Sequence, residues 1–152
     1  MISFLFKAVF WLLVLLLIAG VVRTWQIQHG AQEKAFLAGT VPSPLPNGTY
    51  AGIVPGFHFS WQGKKFNATE NTGINVFPDG DRYSFTTSVS KGLLDSSLDV
   101  MKIEYNIPSN AWWLRRILDE IVQTAPGKYL GKLELRLIPG YPFALGYFEL
   151  TK

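Results

Sequence analysis

GTYAGIVPGFHFSWQGKKF, residues 48–66, sets five Phe, Tyr and Trp rings, four glycines and a Lys-Lys pair within nineteen residues. Phe57, Phe59 and Trp61 fall on one side of an extended chain and His58, Ser60 and Gln62 on the other. That period of two marks a half-buried strand. The glycines at 48, 52, 56 and 63 let such strands bend and coil. The alternation recurs downstream. Tyr83, Phe85, Thr87 and Val89 repeat it after the turn PDGDR, where Asp79-Gly80 is a strong hairpin signal. Met101, Ile103, Tyr105 and Ile107 alternate with Lys102, Glu104 and Asn106, and Leu133, Leu135 and Leu137 alternate with Lys132, Glu134 and Arg136. With TYAGIV, GINVF and FALGYFEL, the pattern predicts about seven strands joined mostly by short turns. The fold class is therefore mainly β: a small antiparallel barrel or a strongly curved sheet.

One segment departs from this period. In SNAWWLRRILDEIVQTAPG, residues 109–127, Trp113, Leu114, Ile117, Leu118, Ile121, Val122 and Ala125 share one side of a helical wheel. Arg115, Arg116, Asp119, Glu120 and Gln123 share the other. Ser109 or Asn110 serves as N-cap and Pro126-Gly127 as a stop. The reading is an amphipathic helix before the last two strands, plugging one end or flank of the barrel.

Ahead of the β domain, Ile2 to Val22 contains a single charge, Lys7. As a helix it spans about 31 Å, enough for a hydrocarbon core. Lys7 can snorkel at one end, and Arg23 and Trp25 supply a basic and an aromatic anchor at the other. The rival reading is a cleaved signal peptide, but no small-x-small cleavage site follows Gly20. The domains are then a transmembrane anchor over 1–25, a polar and proline-rich stalk over 26–47, and a barrel-like domain over 48–152. Pro42, Pro44 and Pro46 favour extended polyproline II in the stalk. The N-terminal amine and Lys7 on the short side slightly outweigh Arg23, which favours the N-terminus in the cytoplasm. The expected location is single-pass in a bacterial inner membrane, with the C-terminal domain in the periplasm.

Charge and composition narrow the function. The chain carries a net charge of +3, but residues 40–152 hold eleven Lys and Arg against ten Asp and Glu. That domain lacks the basic surplus that phosphate neutralisation needs, so nucleic acid is not an expected partner. No cysteine is present, which removes disulfides, thiolate nucleophiles and zinc-thiolate sites. His58 is the sole histidine of the β domain and stands on the polar side of its strand. Asp79 and Asp81 sit in a Pro-Gly turn, and Asp95 and Asp99 fall in no partner pattern. No catalytic residue, metal ligand or cofactor is assigned, and an enzyme is the least supported class.

Gly48-Thr49-Tyr50-Ala51-Gly52 followed by Trp61-Gln62-Gly63-Lys64-Lys65-Phe66 resembles the pattern of a bacterial domain family named for its GXWXG motif. More loosely, it is similar to the Gly-x-Trp first strand of lipocalins. That resemblance implies a closed barrel holding a lipophilic ligand, with Gly48 and Tyr50 at the motif positions. Tyr50 stands where both families carry Trp, and lipocalins place their helix after the barrel rather than before its last two strands.

The expected function is therefore a membrane-anchored, non-enzymatic domain that binds an apolar or amphipathic small molecule or a lipid. Tyr50, Phe57, Phe59, Trp61, Tyr83 and Phe85 would line its interior, either as a cavity wall or as plain core. The alternative is a structural or assembly module that binds another envelope protein. For that surface the candidates are Trp112, Arg115 and Arg116, while Lys64-Lys65 at a strand end reads either as a contact for anionic headgroups or, in preference, as a solvated turn.

Overall fold

The computed structural model describes residues 2–152 and shows two helices leading into a closed eight-stranded barrel. The helices are α1, Ile2–Gln28, and α2, Ala31–Leu37. The strands are β1 (Gly48–Ile53), β2 (Gly63–Asn67), β3 (Thr72–Val76), β4 (Arg82–Lys91), β5 (Asp99–Glu104), β6 (Ile117–Ala125), β7 (Lys128–Ile138) and β8 (Tyr141–Thr151). Every neighbouring pair is antiparallel, and β1 pairs with β8 to close the ring. Closure leaves no sheet edge open to pairing by another chain.

The sequence pattern is corrected in two places. The strands number eight rather than about seven, and the amphipathic helix expected before the last two strands is absent. Residues 114–116 form one 3-10 turn and residues 117–125 form β6. Its inward residues, Ile117, Asp119 and Ile121, face the barrel interior, and its outward residues, Leu118, Glu120 and Val122, are also buried. A strand covered on both faces loses the polar-apolar alternation that identifies strands. The second correction concerns Phe57, Phe59 and Trp61, which lie in the long β1–β2 connection rather than on a strand.

Two apolar layers follow from the alternation. Inside the barrel, Tyr50, Phe66, Phe85, Ile103, Ile121 and Phe148 form the main core. Gly131 admits the Phe148 ring: a Cβ there would lie 2.1 Å from it. Gly63, at φ +135, lets β2 begin close against β1, since its Cβ would meet the Tyr50 carbonyl oxygen at 2.0 Å.

Outside the barrel, Val100, Val122, Leu130 and Tyr147 pack under Ile27 of α1 and Phe36 of α2. Residues 26–47 therefore do not stand free of the barrel as a spacer. Buried Glu33 of α2 meets Lys132 Nζ on β7 at 2.8 Å and accepts from the Tyr147 hydroxyl, while Asp95 takes Lys132 Nζ at 2.6 Å. Burial and the Glu33 carboxylate raise the Tyr147 phenol above its ordinary range. Thr40 bridges Gln123 on β6, and Ser43 N donates to the Gln123 amide oxygen. The apolar part of α1 is long enough to cross a membrane.

Candidate functional site

In a barrel of consecutive antiparallel strands, alternate connections share an end. The β1–β2, β3–β4, β5–β6 and β7–β8 connections lie at one end, and the turns at 68–71, 92–98 and 126–127 start from the other. The first end opens into a cavity of about 240 Å³. Its mouth is apolar, with Phe59, Trp61, Phe77, Tyr83 and Leu114, and its floor is polar, with Lys64, Asn75, Tyr105 and Asp119.

The floor is a connected network. Lys64 points inward from β2 because it shares the parity of Phe66, and only 2% of its surface is exposed. Its Nζ donates to Asn75 Oδ1 at 2.9 Å and to the Tyr105 hydroxyl at 2.5 Å, and meets Asp119 Oδ2 at 2.9 Å. Those three acceptors use all three ammonium protons. Tyr105 in turn donates to Asp119 Oδ2 at 3.0 Å. Asn75 is fixed by Trp61 Nε1, which donates to its Oδ1 at 3.0 Å, and by its own Nδ2, which donates to the Tyr83 carbonyl at 3.0 Å. Burial lowers the Lys64 pKa, and Asp119 partly restores it. Burial beside the same carboxylate holds the Tyr105 phenol well above its ordinary range. Asp119 Oδ1 is buried and has no hydrogen-bond partner among the described residues.

The cavity thus joins an apolar mouth to a polar, ion-paired floor. Lys64 is the hub of this network, held by Asn75, Tyr105 and Asp119 at once.

The candidate residues separate in space. Trp61, Tyr83 and Phe59 line the cavity. Tyr50 and Phe85 lie below it in the closed core, where each packs edge-on against Phe66. Phe57 and Phe59 stack on each other at 5.8 Å between ring centres, both exposed. They also wall a neighbouring groove of about 450 Å³ that shares Val54, Phe59 and Phe148 with the cavity and reaches Arg23 of α1. Trp112, Arg115 and Arg116 stand exposed in the β5–β6 connection at the same end of the barrel, and Arg115 Nε donates to Asn106 Oδ1 at 2.9 Å. His58 is exposed in the β1–β2 connection.

The residues that the sequence pattern missed are Lys64, Asn75, Tyr105 and Asp119. Lys64 is a buried ion-pair partner rather than part of a solvated turn, whereas Lys65 is exposed. The signal was present: Lys64 and Phe66 share one face, as do Tyr105, Ile103 and Met101. Asp95 and Asp99 also have partners, Lys132 and Lys91.

A small closed barrel of eight antiparallel strands, open at one end and carrying an N-terminal apolar helix, is the class of protein that this fold and site define. It is consistent with a lipocalin-like barrel. The chain is similar to the crystal structure of a protein from Thermomonospora curvata, with 20% identity over 79% of this chain and 84% of that one and a TM-score of 0.50. That likeness extends to the fold alone. No protein-family model and no curated protein matches the chain, so the GXWXG resemblance stands on its motif residues only.

Proposed function

We propose that this protein is a membrane-anchored, non-enzymatic binding domain for an amphipathic small molecule or lipid, located in a bacterial inner membrane with the barrel in the periplasm. The observation that carries the reading is the cavity itself, with an apolar mouth of Phe59, Trp61, Phe77, Tyr83 and Leu114 over a polar floor of Lys64, Asn75, Tyr105 and Asp119. A cavity of about 240 Å³ is slender beside the roughly 300–1,000 Å³ of drug-sized sites. It suits the end of a chain, with the rest lying along the Phe57–Phe59 groove. Lys64, with all its protons engaged, and His58, exposed on a loop, support a binding rather than a catalytic role.

The test is native mass spectrometry of the full chain purified from cells in a mild detergent. A co-purifying amphipathic mass, lost on Trp61→Ala while circular dichroism is unchanged, supports the reading. A medium-chain alcohol, whose hydroxyl can meet the polar floor, should bind more tightly than the alkane of equal length. A bare chain that takes up neither probe overturns it. The alternative, an envelope assembly module, draws on the exposed apolar residues of the same barrel end. It would be favoured if a protein partner cross-linked at Trp112 and the cavity stayed empty.

A further inference from the structure

The contacts between α1 and β8 fix the direction in which the apolar helix leaves the barrel. Gly20 lies against the Phe143 ring, where a Cβ would approach to 3.0 Å. Thr24 Oγ1 accepts from Ala144 N at 3.0 Å, and Arg23 Nε donates to the Leu145 carbonyl at 2.8 Å. Ile27 packs in the same cluster as Tyr147. Residue numbers rise together along both elements, so α1 and β8 run side by side in one direction. Traced back toward its N-terminus, α1 passes Tyr141 and projects beyond the open end of the barrel.

Its length then sets the depth of that end. Tyr141 lies two residues above Phe143, about 7 Å along the strand. On the helix that is four to five residues before Gly20, near residue 15 or 16. The stretch from residue 2 to 15 supplies only about 20 Å of helix beyond the rim, against a hydrocarbon core of about 30 Å. The apolar run continues to Val22, and Leu16, Val21 and Val22 are exposed alongside the rim. Placing that run in hydrocarbon therefore sinks the rim by about 10 Å, into the zone of headgroups and upper acyl chains.

The rim has the composition that this depth requires. Leu137 is 58%, Tyr141 70% and Trp112 75% exposed, and Phe57 joins them from the β1–β2 connection. Arg115, Arg116 and Arg136 surround a hollow beside Leu137 and Ile138. Trp and Tyr settle at membrane interfaces, and arginines meet anionic headgroups.

We infer that the open end of the barrel docks on the bilayer that holds α1, so that the cavity mouth faces lipid rather than water. The partner is the lipid surface itself, and a cavity ligand reaches the barrel from the membrane. This inference rests on the membrane anchoring by α1 proposed above but not on the binding function, so it survives a cavity found empty.

The absence of cysteine makes the test direct. The full chain, carrying Tyr141→Cys, Leu137→Cys or Trp112→Cys at the rim, or Glu70→Cys or Thr124→Cys elsewhere, is reconstituted into vesicles of phosphatidylcholine and phosphatidylglycerol. A charged maleimide is admitted to both faces by freeze–thaw loading. All five positions are at least partly exposed in the chain itself, so differences report the surroundings. Rim thiols should react slower than the other two by about tenfold or more, as withdrawal from water into the interface requires. That ratio should persist as protein is diluted in lipid. Equal rates at all five positions overturn the inference. Shielding that disappears on dilution also overturns it, because a second copy of the chain would then be the cover.

Discussion

Glu134→Gln should make the protein more stable, and increasingly so as pH rises. Glu134 lies on β7, fully buried on the outer face of the barrel, and neither carboxylate oxygen has a hydrogen-bond partner among the described residues. Burial pushes its pKa up from 4.5 to about 8, with the Glu120 carboxylate adding to the rise and Lys132 opposing it. The native chain thus holds a proton at pH 7 that the unfolded chain has lost. Where the native state binds more protons, stability falls with rising pH. The loss begins near the unfolded value of 4.5 and is complete once pH passes the folded value of about 8. At 1.36 kcal/mol per unit, it amounts to about 3 kcal/mol at pH 7 and about 5 kcal/mol at pH 9. The glutamine amide has the same shape and does not titrate. Urea unfolding of the full chain in detergent micelles, followed by tryptophan fluorescence from pH 5 to 9, measures the difference between the two proteins. It should be small at pH 5 and grow through the window. A difference that stays constant from pH 5 to pH 9 would refute the reasoning, because Glu134 would then titrate alike in both states.

Lys64→Met strands the Asp119 carboxylate in the interior and should cost about 3–5 kcal/mol in the same urea assay. Lys64→Met with Asp119→Leu should recover most of that loss, and a double variant as unstable as the single would argue against a mutual ion pair. Gly63→Ala drives a Cβ into the Tyr50 carbonyl at a positive φ, and a loss of about 3 kcal/mol or failure to fold is expected. Trp112→Ala, at an exposed position, should leave the unfolding free energy within about 0.5 kcal/mol of the parent.

The β architecture was legible wherever one face of a strand met solvent and the other met core. β5 reads cleanly because Met101 and Ile103 face the core while Lys102 and Glu104 stay partly exposed. β6 read as a helix because α2, the 92–98 connection and the barrel interior bury both its faces. Leu118 and Val122 then filled the polar side of the alternation and happened to match a helical stripe. The Phe57, Phe59 and Trp61 alternation was real but belongs to a loop, where two of the rings stack on each other and the third caps the cavity. The candidate site was legible at its apolar mouth, through Trp61, Phe59 and Tyr83, and illegible at its floor. A lysine and an aspartate distant in sequence look like surface residues until a closed register brings them within 2.9 Å.

That register gives β6 a double part in the molecule. Its inward Asp119 forms the cavity floor with Lys64 and Tyr105. The next residue, Glu120, points outward, accepts from Leu93 N at 2.8 Å and lies 3.7 Å from Lys102 Nζ. On the neighbouring strand, Lys132 pairs opposite Glu120 and holds Glu33 of α2. Burial also raises the Glu120 pKa. Two adjacent carboxylates on one strand thus serve opposite faces: one the cavity, the other the polar cluster that ties the helical segment to the barrel wall. A strand that carries buried charge on both sides cannot slip by one residue without exchanging them, so Asp119 and Glu120 together fix the register of β6.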